Sequence, residues 1–418
     1  MTLSSILKQA KELYAHTPQQ EKQALSLLAP TLKKIQQSIP QAKVLLGGSA
    51  AKGTWLKAFD VDVFVMFPYK KYENKSDELS NILEKGLKKK FKTTHRLHGS
   101  RDYFRVSEAG HLIEVVPILH ISKAKQAKNI TDISPLHSIW VRKHKHVVNE
   151  IRLTKQFCKA NNLYGAESYI RGFSGYICEI LTIHYGSFAK LLKAATTWKK
   201  GTVIDTQGHY KKKDVFLEMN KSKLVSPLIV VDPVQHDRNA AAALSKEKFD
   251  QFIIKASEFL KKPSLEFFKE KSFAKDDLKK EFKNKKIILI HLKPQEGKED
   301  IVGAKMMKIF EHVQRELRRH GFHTLNADWK WQRGHNAILI FVLENKPLPK
   351  TMEQDGPPLA AKQHVENFRK LHKKIITKHN RLVAIEQRIY LLPEQLLANT
   401  IKDAYVKERV RSARVEVC

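Results

Sequence analysis

The chain has 418 residues, of which 42% are hydrophobic and 28% charged, enough apolar material for roughly two to four cored domains and too much for a disordered or low-complexity chain. Lysine and arginine number 76 against 43 acids, a formal net charge of +33 at pH 7, spread along the chain in the manner of a surface that attracts polyanions such as nucleic acid. Cys158, Cys178 and Cys418 form no C-x-x-C pair, and the sequence has neither a secretory h-region nor an apolar run of membrane-spanning length, so a disulfide framework, a zinc site and a membrane protein are excluded and a soluble cytoplasmic protein is expected.

Residues 4–38 read as helix, with Ile6, Ala10, Leu13, Leu25, Leu28, Leu32 and Ile35 recurring near the helical period. Strands follow at 44–46 and 61–67. Between them lies GGSAAKGTWLKAFDVD, residues 47–62. Gly47 and Gly48 allow close approach of the backbone to a ligand. Ser49 offers a hydroxyl, Lys52 a charge beside phosphate oxygens, and amides after Ser49 a phosphate cradle. Asp60 and Asp62 stand at the start of a strand, on one face and about 6.6 Å apart along it. Asp-x-Asp alone is too short a pattern to carry that chemistry and reads better as two solvated carboxylates before an ordinary strand. Together with the glycines, Ser49 and Lys52, the pair points to divalent cations in phosphoryl or nucleotidyl transfer. A helix at 76–91 and a hairpin across 102–121, turning at Glu108-Ala109-Gly110, complete a small mixed sheet. Glu114 is a lone acid in the apolar second arm of that hairpin. A buried charge without a partner is costly, so Glu114 either joins Asp60 and Asp62 at the metals or faces solvent on an edge.

From Ile139 the pattern turns helical, over 139–161, 171–185, 187–200 and 239–262, with a short strand at 228–231. The lysine-rich stretch 261–286 reads as a solvated linker or exposed helix. A strand at 287–292, a helix at 304–320 and a strand at 336–343 then form an α/β unit. A proline-rich loop at 345–358, a helix at 359–379 and a strand at 381–390 complete the reading.

The segment GGSAAKGTWLKAFDVDVFVMF resembles the active-site motif of the nucleotidyltransferase superfamily. With HLIEVVPILHI, SPLHSIW, EIRLTKQFCKANNLYGAE, YIRGFSGYICEILTIHYGSF and VVDPVQHDRNAAAALS it is similar to the archaeal class I tRNA nucleotidyltransferases, the CCA-adding enzymes. The resemblance covers residues 43–262 closely and the last third more loosely. It implies a multidomain α+β protein: a polymerase β-like nucleotidyltransferase head at 1–138, a helical central domain for base recognition at 139–260, and an α/β C-terminal body and tail with RRM-like elements at 261–418. The implied activity is template-independent addition and repair of the 3′-terminal CCA of tRNA from CTP and ATP.

The resemblance further implies a two-metal Mg²⁺ site on Asp60, Asp62 and Glu114. It implies nucleotide contacts from Gly48, Ser49, Lys52, His137, Lys155, Tyr164 and Ser174, and a base-reading role for Arg238. Partners would be the acceptor stem and elbow of tRNA, and a homodimer is left open. Read without the resemblance, His137 is a structural histidine, Lys155 a solvated lysine, Tyr164 plain core, Ser174 a helix-interior hydroxyl and Arg238 one surface arginine among many. The sequence departs from the common archaeal pattern at Asp60, where Glu is frequent, at Glu114, where Asp is usual, and at Lys52, where Arg is frequent. A poly(A) polymerase-like enzyme and a non-catalytic RNA-binding protein on a degenerate transferase fold are the alternative readings.

Overall fold

The computed structural model describes residues 2–56, 61–108, 110–211, 213–270, 274–331 and 335–418. It divides into two compact units, Met1–Lys271 and Ser272–Cys418.

In the first unit, the single helix expected at 4–38 is two, α1 (Leu3–Tyr14) and α2 (Pro18–Ser38). The break is a capping box: Gln20 N–H donates to Thr17 Oγ1 at 3.2 Å, and Thr17 N–H donates to Gln20 Oε1 at 2.9 Å. The two helices serve different cores. Leu28 and Ile35 of α2 pack under the head sheet, whereas Ile6 and Ala10 of α1 enter the helical core.

The head contains β1 (Lys43–Leu46), α3 (Gly48–Lys52), β2 (Val61–Pro68), α4 (Tyr69–Tyr72), α5 (Leu79–Lys88), β3 (Thr94–Leu97), β4 (Tyr103–Glu108) and β5 (His111–His120). Its sheet runs β1-β2-β5-β4-β3, with β2 and β5 parallel and the other neighbours antiparallel. One face, carrying Val61, Val63, Val65, Phe67, Ile113 and Val115, is sealed by α2 and α5. The other carries Asp62, Phe64, Met66, Glu114 and Val116.

The helical part follows as α6 (Ser134–Arg142), α7 (Val148–Ala160), α8 (Gly175–Tyr185), α9 (Phe188–Ala195), β6 (Thr202–Ile204), α10 (Val215–Glu218), β7 (Leu228–Val230) and α11 (Lys246–Lys261). Helix α8 is apolar nearly all round, and α7 is buried from Ile151 to Cys158 although it carries Arg152, Thr154, Lys155 and Gln156; both contribute to this core. The helix expected at 239–262 starts seven residues late, at 246. Asn239 Oδ1 accepts from Val230 N–H and Ala241 N–H, both at 2.9 Å, which holds the alanine run in turns. Ser245 then caps α11 by accepting from Lys248 N–H.

The second unit contains α12 (Lys275–Glu281), β8 (Lys285–Pro294), α13 (Glu299–Arg319), β9 (Thr324–Lys330), β10 (Ala337–Glu344), β11 (Thr351–Pro358), α14 (Lys362–Leu371), β12 (Ile375–Lys378), β13 (Arg381–Gln387), α15 (Pro393–Thr400), α16 (Ala404–Lys407) and β14 (Val410–Val417). The sheet β14-β8-β10-β9 is antiparallel throughout, with α13 crossing from β8 to β9 around the inserted β10. That is the split βαβ arrangement of RRM-like folds. A second sheet, β11-β13-β12, is inserted before α15. Two expectations fail here. The proline-rich 345–358 is partly strand β11, and the helix expected at 359–379 ends at Leu371 before β12. Strand β11 lies at a sheet edge, where Pro357 and Pro358 need donate to no neighbour.

Candidate active site

Parallel pairing of β2 with β5 sets Asp62 directly opposite Glu114, so both carboxylates rise from the same face of the sheet. The row continues across β4, where Arg105 is the register partner of Glu114 and forms an ion pair with it. The alternative in which Glu114 faces solvent on an edge is thereby excluded: β5 is an inner strand. Asp60 lies outside the described residues, and among those described no group of three His, Cys, Asp or Glu side chains is gathered about one point.

Above Asp62 the chain turns tightly. Gly47 N–H donates to Asp62 O at 2.7 Å, fixing the turn to the start of β2. Gly48 takes φ +52°, and any side-chain carbon there would overlap Asp62 Oδ2. Glycine is therefore required for both conformation and space. The turn leads into α3, whose Ser49 and Lys52 face the same cavity as Asp62.

That cavity holds about 320 Å³ and lies between the head and helices α7 and α8. Ser49, Lys52, Thr54 and Asp62 line it from the head; Lys155, Tyr164, Gly175 and Glu179 line it from the helical side. The structure thus brings together Gly48, Ser49, Lys52, Asp62, Lys155 and Tyr164. Lys155 is not solvated but 2% exposed. It donates to Glu179 Oε1 at 2.7 Å, Thr54 Oγ1 at 2.9 Å and the Thr54 carbonyl at 3.3 Å. Lys52 donates to the other oxygen, Glu179 Oε2, at 2.8 Å. Burial raises the Glu179 pKa, but Lys155 and Lys52 outweigh it and hold the carboxyl down at about 2. Burial pulls the Lys155 pKa down and Glu179 pulls it back up. Burial also raises the Tyr164 phenol, so it stays a neutral donor.

Ser174 is not inside a helix. It caps α8, its hydroxyl oxygen accepting from Ile177 N–H at 3.1 Å. The next residue, Gly175, lines the cavity, and a side-chain carbon there would stand 2.8 Å from the Tyr164 hydroxyl.

His137 and Arg238 meet at a second centre, the fully buried Asp232. His137 Nε2 lies 3.1 Å from Asp232 Oδ2, and Arg238 Nη1 donates to the same oxygen at 2.7 Å. Asp232 Oδ1 accepts from the Tyr176 hydroxyl at 3.1 Å and from Val234 N–H at 2.9 Å. Burial raises the Asp232 pKa, but these partners, His137 first, hold it at about 2. Burial lowers that of His137, against the pull of Asp232. Tyr176 also lines the 320 Å³ cavity and stacks on His137 at 4.1 Å, so it joins the two centres.

Glu179, Asp232, Tyr176 and Thr54 were not anticipated. Glu179 carried the same signal as Glu114, a lone acid in an apolar run, here YICEILTIHY. Asp232 follows the apolar strand β7 in the same way.

The chain matches three family models: "nucleotidyltransferase domain" over 28–137, "tRNA nucleotidyltransferase, second domain" over 149–269, and "CCA-adding enzyme, C-terminal domain" over 283–413. It is 36% identical over 376 residues to the CCA-adding enzyme of Nanoarchaeum equitans, covering 88% of this chain and 89% of that one. The CCA-adding enzyme of Methanocaldococcus jannaschii is 33% identical over 373 residues, 84% of this chain and 79% of its own. In fold, the chain is similar to a mutant Cid1 poly(U) polymerase solved with MgATP, at a TM-score of 0.51 and 11% identity over 64% of this chain and 98% of that one.

Proposed function

This chain belongs to the archaeal-type CCA-adding enzymes, the class I tRNA nucleotidyltransferases, and we infer that the cavity between its head and helices α7 and α8 is where CTP and ATP are added to the tRNA 3′ end. The observation that carries this assignment is that Asp62 lines one cavity with Ser49, Lys52, Lys155 and Tyr164.

The residues present fit a magnesium site. Carboxylate oxygens are the donors that Mg²⁺ prefers, Asp62 and Glu114 share a face, and Gly48 has no side chain to push the Asp62 carboxylate from its place. Asp62 and Glu114, with Asp60, would hold Mg²⁺, which neutralises triphosphate charge and lowers the pKa of the RNA 3′-hydroxyl. Arg105 steadies Glu114 from the next strand. Lys52, Ser49 and Tyr164 bind the triphosphate, with Lys155 as a second positive charge behind Lys52. Arg238 reads the base edge, its guanidinium held in plane by Asp232. His137 and Tyr176 fix Asp232 in turn, and Tyr176 lines the pocket.

The C-terminal unit, with the division at 1–138, 139–260 and 261–418, is assigned to gripping the acceptor stem and elbow of tRNA. The α/β topology of that unit and the chain's excess of 76 basic over 43 acidic residues support this assignment.

Incubation with Mg²⁺ and each labelled nucleotide alone, on tRNAs lacking one, two or three terminal residues, tests the reading. The expected result is C addition to the two shorter substrates and a single A addition to the tRNA ending in CC. An open-ended ladder on any of them would favour a tailing polymerase, and no extension would favour a binding protein.

A further inference from the structure

Helix α8 carries a carboxylate where a buried helix has every reason to carry a hydrocarbon. Glu179 is fully buried, with Ile177, Ile180 and Leu181 around it on the same helix, all at most 1% exposed. Burying an ion costs several kcal/mol, and an apolar side chain of similar volume is commonly as stable or more so. Packing therefore gives no account of this residue.

Its partners come from both walls of the cavity. Oε2 accepts from Lys52, at the end of α3 in the head, at 2.8 Å. Oε1 accepts from Lys155, on α7, at 2.7 Å, and from the Thr54 hydroxyl of the head at 2.6 Å. All three donors of the Lys155 ammonium are engaged, by Glu179 and by the Thr54 hydroxyl and carbonyl. Lys52 has one such bond, retains 12% side-chain exposure, and lies 5.3 Å from the centre of the Tyr176 ring. One carboxylate thus fixes the separation and order of two cations: Lys52 in front, open to the cavity, and Lys155 locked behind it.

We infer that Glu179 is a positioning residue of the nucleotide pocket, holding Lys52 and Lys155 where they receive the triphosphate of the incoming nucleotide. The inference rests on the assignment of this cavity as the nucleotide site. Glu179 itself touches no phosphate; an anion against an anion would be repelled. It acts by keeping Lys155 charged in a dry setting and by stopping Lys52 from swinging into solvent. The groups that face Lys155 are Glu179 and Cys178 from α8, Lys52 and Thr54 from the head, and Tyr164 from the loop after α7, with Asp62 and Lys159 also on the cavity wall. Glu179 is the one anion among them bonded to the Lys155 ammonium. Without it, burial and the Lys52 charge both favour the neutral amine.

The test is E179Q in the full chain, which keeps the shape and removes the charge. KM for ATP and for CTP should rise about tenfold with kcat within about threefold of wild type. That KM should climb further with pH, starting at a lower pH than in the wild type, as Lys155 loses its proton. Calorimetric Kd values for ATP without tRNA should move in parallel. An unchanged KM, a loss confined to kcat, or a pH profile that coincides with wild type overturns the inference.

Should E179Q lack a cooperative melt, Thr54→Val decides. It removes the hydroxyl that bonds both Glu179 and Lys155, and a KM rise of about threefold or more supports positioning, whereas an unchanged KM overturns it. If the wild-type chain extends no tRNA, the CCA assignment fails by itself. The ATP binding comparison then still decides whether Glu179 positions the two lysines.

Discussion

Gly48 stands against the carboxylate of Asp62 so closely that a methyl group on its Cα would occupy the position of Asp62 Oδ2. The turn that carries Ser49 and Lys52 is thus seated directly on the acidic residue at the start of β2. Gly48→Ala should push that carboxylate aside and impose a positive φ on a residue that pays roughly 1–2 kcal/mol for it. A displacement of about 1 Å at a reacting centre can cost about a hundredfold in rate. The expected outcome is a fall of that order in single-turnover extension with a modest drop in melting temperature. Near-normal extension by Gly48→Ala would show that Asp62 does not need its present position.

Asp62→Ala separates chemistry from binding. Asp62 shares its face with Glu114 and lines the cavity with Ser49 and Lys52, whereas the C-terminal unit assigned to tRNA is untouched. Extension of a tRNA ending in CC should disappear, and the Kd for that tRNA should stay within about threefold of wild type in a filter-binding titration. Retained extension would remove Asp62 from the metal site.

Much of this arrangement could be read from residue order, and the remainder has identifiable physical causes. The apolar, β-prone runs around Asp62 and Glu114 placed both acids on strands, and the two strands do pair in register. Residue order could not show Arg105 beside Glu114, because that pairing depends on which strand takes the far side of β5. Glu179 and Asp232 were legible as isolated acids but not as hubs, since their partners lie up to 127 residues away. The break before α2 was written in Thr17, Pro18 and Gln20, a capping box with Pro at the first helical position, and was overlooked because the apolar period continues across it. Strand β11 was hidden by its own prolines, which an edge strand tolerates.

Asp232→Asn tests the base-reading assignment. The carboxylate holds Arg238 at 2.7 Å and His137 at 3.1 Å on the same oxygen. An amide keeps the size but loses the charge and one acceptor, freeing the guanidinium to rotate. Discrimination should suffer more than rate. The ratio of kcat/KM for CTP over UTP on a tRNA lacking CCA should fall about tenfold, or roughly 1.4 kcal/mol. A variant that slows all nucleotides equally would argue that Asp232 only supports the fold.

Acid should unfold the first unit in two stages. His137 is buried with its pKa lowered, so the unfolded chain takes up a proton first and stability begins to decline as pH falls below about 6.5. Glu179 and Asp232 have folded pKa values held down at about 2. Their contribution is complete above the unfolded carboxylate values near 4, and is lost as pH falls from there through about 2. A series of thermal melts should show a shallow limb and then a steep one. Asp232→Asn, less stable at neutral pH, should flatten the steep limb; a limb of unchanged slope would mean that Asp232 is not ionised in the folded chain.

Binding of tRNA should weaken steeply with salt. With 76 basic residues against 43 acidic ones the chain repels itself and draws in phosphates, and each neutralised phosphate releases counterions, giving a log–log slope of about −0.7 to −0.9 per contact. In the second unit, Arg369, Lys370, Lys373 and Lys374 are all exposed around the turn from α14 to β12, beside the exposed Leu371. Reversing these four charges to Glu should lower affinity for whole tRNA at moderate salt by at least about tenfold and make the slope shallower by two or more. Affinity for ATP alone should not change, because every residue lining the cavity belongs to the first unit. A variant with an unaltered slope would place the tRNA on another face of the C-terminal unit.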